Sequence, residues 1–276
     1  MLDKKILIRR LSFAGYFFAV FLLFLLFLFP FDRVKARIES EVRLRTPLDL
    51  SVGRISPRFF NSYVLSDVVL SDRQGKVLFE SASVNTSVSL LSLLRGALYV
   101  NMKAAAYGGE LLVKMQQGSG RQYLMLDANG LDVSSYALLK NSGFKLTGKI
   151  GGNLELNNDT GKGRLWIKGI TSRELKIKGF SIPDLDFDKG WLEADIKGDR
   201  MMIRKLELEG RELKVQITGD MVMRERGIIN LTVRLKPSAR LAYEQSAVLS
   251  FLKNRDADGF YQFTVGGLLS EPLPRL

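Results

Sequence analysis

The chain contains no cysteine and no histidine. That removes disulfides, thiolate nucleophiles, zinc sites of the usual kind and imidazole acid–base chemistry at once. Lack of cysteine suits the periplasm and the cytoplasm equally, so it does not place the protein. Long helical periods are also scarce, and the buried all-apolar strands of a parallel sheet are missing. Negative charge is in the minority, with 41 Lys and Arg against 29 Asp and Glu, for a net +12. A basic balance of this size points to nucleic acid, anionic lipid or acidic protein partners. The cations are spread through the strands, not gathered into a stripe with interleaved aromatics. No nucleic-acid groove is therefore expected, and dispersed lysine on a solvated sheet face is the simpler reading.

One charge-free run is present, from Leu11 to Phe31. As a helix it would span about 31 Å, the thickness of a hydrocarbon core. Phe27-Leu28-Phe29-Pro30 is bulky where a signal peptidase needs small residues, so the run reads as an uncleaved transmembrane signal anchor. Positive-inside counting is indecisive, because Arg33, Lys35, Arg37, Arg43 and Arg45 balance Lys4, Lys5, Arg9 and Arg10. The short basic tail resembles a signal-anchor n-region and tips the orientation. The expected layout is a cytoplasmic tail at 1–10, an anchor at 11–31 and a periplasmic β-rich domain at 32–276. The expected location is the inner membrane of a Gram-negative cell, single-pass, with the membrane itself as a partner.

Past the anchor, Val34, Ile38 and Val42 are spaced for a short amphipathic helix over 32–45, closed by Thr46-Pro47. From Leu48 the period becomes two. Leu90–Leu94 reads as a short helix, Tyr107-Gly108-Gly109-Glu110 as a tight turn, and Leu131–Lys140 as an internal helix. In the second half, Leu165/Ile167, Leu175/Ile177, Leu192/Ala194/Ile196, Leu213/Val215/Ile217 and Ile229/Leu231/Val233/Leu235 alternate with polar neighbours. Gly169, Gly179, Gly198-Asp199, Gly210 and Gly219-Asp220 read as the turns between them. Arg173–Ile177 echoes Arg211–Val215, a hint of a repeated unit. The predicted fold class is mainly β: an antiparallel meander forming a curved groove or a sandwich, with short helices, preceded by one N-terminal transmembrane helix.

No residue is nominated as catalytic, cofactor-binding or metal-ligating, and no enzyme activity is expected. Asn157–Gly163 lacks the spacing of a phosphate-binding loop and reads as a hairpin turn. Asp184, Asp186 and Asp188 alternate on one face of an extended segment, and an ordinary solvated edge explains them better than calcium. A Ser–Lys dyad needs spatial proximity that a sequence does not supply. Trp166 and Trp191 are candidates for interface anchors or for core use.

The order of several soft motifs is familiar. Phe29-Pro30-Phe31 ends the apolar run, Thr46-Pro47-Leu48-Asp49-Leu50 opens the strands, and Ser89–Gly96 precedes a strand and Tyr107–Glu110. The chain closes on Phe263-Thr264-Val265-Gly266-Gly267-Leu268-Leu269-Ser270-Glu271-Pro272. Together they resemble the N protein family of the bacterial type II secretion system, which is similar to the larger AsmA-like proteins. The resemblance spans essentially the whole chain. It implies an accessory inner-membrane component of the secretion machine, acting in the periplasm by binding or assembly with other type II secretion components. No functional residue carries over. The alternative it implies is an AsmA-like lipid-binding or lipid-transfer module of the cell envelope, with phospholipid in an apolar groove.

Overall fold

The computed structural model describes residues 13, 16–17, 20, 30–59, 61–136, 145–173, 176–177, 180–181, 184–224, 227–252, 255–268 and 271–275. A helix, α1 (Phe31–Arg45), leads into β1 (Leu48–Phe59), β2 (Ser62–Asp72) and β3 (Val77–Val88). A five-residue helix, α2 (Leu90–Leu94), precedes β4 (Leu98–Ala106), β5 (Gly109–Gly118), β6 (Arg121–Asp132), β7 (Lys145–Asn157) and β8 (Thr160–Arg173). The two-residue strands β9 (Lys176–Ile177) and β10 (Phe180–Ser181) stand apart. Then come β11 (Leu185–Lys197), β12 (Arg200–Gly210), β13 (Leu213–Val222) and β14 (Ile228–Pro237). Two short helices, α3 (Ala239–Glu244) and α4 (Ser246–Leu249), precede β15 (Tyr261–Leu268) and β16 (Glu271–Arg275).

Apart from β9 and β10, the strands form one 14-stranded antiparallel sheet in simple chain order. Two-residue turns make this possible. At Tyr107-Gly108 both residues have positive φ (51° and 72°), the twist that matches antiparallel strands without splaying them.

This architecture corrects the expected fold class. The strands lie in one continuous sheet, so the sandwich is replaced by a single layer. Among the described residues no helix is long and apolar enough to cross a membrane. The longest, α1, has 15 residues and carries charge on every turn, from Asp32 to Arg45. Of the run 11–31, only Phe13, Tyr16, Phe17, Val20, Pro30 and Phe31 are described, and the rest lies outside the described residues. The expected single-pass topology, the inner-membrane location and the membrane as a partner therefore lose their structural basis.

Smaller expectations are corrected too. Leu131 and Asp132 finish β6, Val133–Ser135 is a 3₁₀ turn, and 137–140 lies outside the described residues, so the internal helix is not seen. The echo at Arg173 and Arg211 does not mark a repeat: Lys176–Ile177 belongs to the small pair, whereas Leu213–Val215 belongs to the main sheet.

Both open edges are blunted. Beside β1, the Val52 N–H donates to Glu39 Oε1 at 2.9 Å and Lys35 Nζ donates to the Gly53 carbonyl at 3.3 Å. Arg43 pairs with Asp49 at 2.6 Å, and the Phe31 ring meets Tyr63 with centroids 6.2 Å apart. Helix α1 thus occupies the edge where another strand would add. At the far edge, Pro272 and Pro274 sit at alternate positions of β16 and supply no N–H to any newcomer.

Burial is shallow. Val52, Val68, Val84 and Ala104 form a cluster with Leu50, Ile55, Leu65, Phe79, Met102 and Leu111, all from the first five strands. Leu65 and Val68 both join it although three residues apart, because Asp67 takes a left-handed conformation (φ 52°) and shifts the alternation by one. Among the described residues Val52 alone falls below 2% exposure.

Candidate functional site

Cross-strand partners point to the same face of a sheet, so the register assigns the faces. One row runs Ile55–Leu65–Val84–Ala104–Leu111–Ala128–Gly152–Leu165–Leu192–Leu206–Ile217–Val233–Phe263. A second runs beside it: Met102–Val113–Leu126–Leu154–Gly163–Ala194–Ile203–Gly219–Leu231–Val265. A third is Val100–Met115–Leu124–Leu156–Gly161–Ile196–Met201–Met221–Ile229–Gly267. On the other side of the first lies Ile150–Ile167–Gly190–Leu208–Val215–Leu235–Tyr261. None of these positions carries a charge. At about 4.8 Å per strand, the first row is about 58 Å long.

The opposite face differs in every respect. A representative row is Asn85–Lys103–Leu112–Asp127–Asn153–Arg164–Glu193–Lys205. Ion pairs such as Lys103–Glu110 (2.9 Å) and Arg204–Asp195 (2.5 Å) cover it.

The apolar face is crowded but not covered. In β4, Leu98, Val100 and Met102 are half-buried and Ala104 and Ala106 buried, while Tyr99, Asn101, Lys103 and Ala105 on the other face are exposed. A flat single layer would treat its faces alike, so the sheet curls toward its apolar side. A closed core would bury the rows outright. Instead Leu165 is 41% exposed, and most large side chains of the rows remain half-buried. The arrangement is an uncharged trough, open along its length.

At the lower end near β3, Phe79, Tyr107 and Tyr136 stack edge to face, with centroids 6.1 and 5.6 Å apart. Tyr107 Oη accepts from the Glu80 N–H at 2.9 Å. Burial pushes the pKa of both tyrosines above the usual phenol value. They stay neutral and end the trough without adding charge.

The residues singled out from sequence fall into place. Leu213, Val215, Ile217, Leu231 and Val233 all face the trough, with Lys214 and Arg234 behind them. Asn158 (φ 53°) and Asp159 form the hairpin turn between β7 and β8. Arg173 binds Asp186 at 2.6 Å and Asp184 at 3.6 Å, and no group of three carboxylates able to hold a metal occurs among the described residues. Trp166 and Trp191 are direct neighbours on the polar face, outside any core. Sequence reasoning missed the alignment of the apolar positions into four rows, since register is set between strands. Comparison with known protein families, with curated proteins and with solved structures found no match.

Proposed function

We propose that the protein holds the acyl chains of amphipathic lipids on its apolar face, as a lipid-binding or lipid-transfer module of the AsmA-like kind. The observation that carries this reading is the set of four uncharged rows, in which Val84, Ile203, Val215, Ile229 and Val233 are buried but Leu165 is exposed and most other large side chains are only half-buried. Exposed apolar surface of this extent is costly in water and marks a binding site. Each methylene taken out of water there gains about 0.8 kcal/mol, so a long chain binds without any specific polar contact. The sheet is one layer thick, so the trough admits a chain along its side.

The test is lipid recovery from the full chain. Native mass spectrometry of gently purified protein should find lipid on the wild type and lose it on Leu165→Glu/Leu192→Glu, which places two charges in the middle of the trough. Equal lipid on both proteins, or none on the wild type, contradicts the reading.

A second reading, an accessory role in type II secretion by binding or assembly, rests on the order of the quoted motifs. Affinity capture from cells with and without crosslinker tests it; absence of any secretion component contradicts it.

A further inference from the structure

The register also builds a line of like charge that the sequence conceals. Across six adjacent strands of the polar face the direct neighbours are Lys149, Lys168, Lys189, Glu209, Lys214 and Lys236. All five lysines are exposed. Like charges directly opposite each other on a sheet destabilise it. Here Lys149, Lys168 and Lys189 follow one another without a break, as do Lys214 and Lys236. Glu209 is the one carboxylate among these six; it binds Lys189 at 2.9 Å. That contact, and the lysines around it, hold its pKa below the usual carboxylate range. On β6 the same line continues to Asp132, directly beside Lys149, so five cations face two anions, an excess of three charges within about 29 Å.

We propose that this lysine line is a docking surface for an extended acidic polypeptide segment laid across the strands. The line is one residue wide. Glu193 and Glu207 lie on one side of it, and Asp186 and Asp188, the latter next to Lys189 in the chain, on the other. A broad anionic surface, such as a membrane, would meet those carboxylates, whereas a single extended chain would not. Single-stranded nucleic acid is disfavoured by the adjoining tryptophans. Trp191 already has Lys189 and Lys205 ammonium groups 5.8 and 5.4 Å from its ring centre, and Trp166 has Lys168 at 5.6 Å. Their faces are committed to lysine and not free to stack on bases. The lysine line lies on the face away from the trough and is independent of lipid binding.

Trp166 and Trp191 are the only tryptophans in the chain, so intrinsic fluorescence reports directly on this surface. A fluorescein-labelled ten-residue oligoglutamate would be titrated into the full-length protein at low salt. Anisotropy should show binding, with a change in tryptophan emission. Lys149→Gln/Lys168→Gln should weaken it at least tenfold, while Lys76→Gln/Lys114→Gln, equal in charge but elsewhere, should change it less than threefold. The melting temperature of the first variant should equal or exceed that of the wild type, because repulsion has been relieved. Four results overturn the proposal. They are no binding, equal weakening in both variants, a lowered melting temperature in the first, or tighter binding to phosphatidylglycerol vesicles or to a deoxythymidine oligonucleotide through the same lysines.

Discussion

Removing the Glu39 carboxylate tests how the first edge of the sheet is held. Val52 N–H points out of β1 and finds its acceptor, Glu39 Oε1, at 2.9 Å in a part-buried position. In Glu39→Ala that donor loses this acceptor. A hydrogen bond to a charged partner is worth about 1.5–3 kcal/mol, and partial access to water favours the lower figure. For a chain of this size, about 1.5 kcal/mol lowers the melting temperature by about 3–6 °C. Glu39→Gln keeps an acceptor at the same reach and should lose less than half as much. Hydrogen exchange followed by mass spectrometry localises the effect. Peptides covering 48–59 should exchange faster in Glu39→Ala, while peptides covering 160–173, seven strands away, should be unchanged. Unchanged protection in 48–59 would show that α1 does not guard the edge.

Other perturbations reach different parts of the structure. Gly151→Ala builds a methyl group that overlaps the Trp166 ring and crowds the Ala128 carbonyl oxygen, so the ring must move; overpacking should cost about 1–3 kcal/mol and shift tryptophan emission, both readable in one thermal melt. Asp256 is held below the usual carboxylate range by its bond from Arg234 and then by the Phe260 N–H. Its contribution is complete above the unfolded value, near 3.9, and is lost as pH falls through the lower folded value. Residues 255–260 should therefore exchange faster only in strong acid, and Asp256→Asn should remove that pH dependence. Ser238 caps α3 by accepting the Leu241 N–H at 3.1 Å, so Ser238→Ala should lower stability by about 1 kcal/mol in a denaturant titration.

Strand identity was legible in residues such as Leu213, Val215 and Ile217, whose alternation places them on one face of β13. Strand length was harder to read. Gly169 and Gly219 look like turns in sequence, yet they lie inside β8 and β13, where φ values of 58° and 137° let the chain run on. Gly198-Asp199, by contrast, is a true turn between β11 and β12. Asp67 interrupts the period of two inside β2, which therefore reads as two shorter pieces around Leu65 and Val68.

The candidate site was half visible for the same reason. Each apolar face could be written down strand by strand, but whether the faces meet each other or stay open depends on curvature. The lysine line shows the limit more sharply. Lys149, Lys168, Lys189, Lys214 and Lys236 look dispersed along 88 residues of sequence. Only the pairing of β7, β8, β11, β12, β13 and β14 brings them side by side. The single-pass anchor had the opposite fate. Hydropathy alone carried it, and no helix among the described residues meets the length and apolarity it requires.

The open apolar trough is the central claim, and photocrosslinking tests it most directly. A diazirine amino acid would be placed singly at the half-buried Ile217 and Leu231 on the apolar face, and at Lys214 and Arg234 behind it, in the full-length protein within cells. Lipid adducts at Ile217 and Leu231, with none at Lys214 or Arg234, are the predicted result. Intramolecular adducts alone at Ile217 and Leu231 would mean that these side chains pack against the protein itself, and would contradict the open trough.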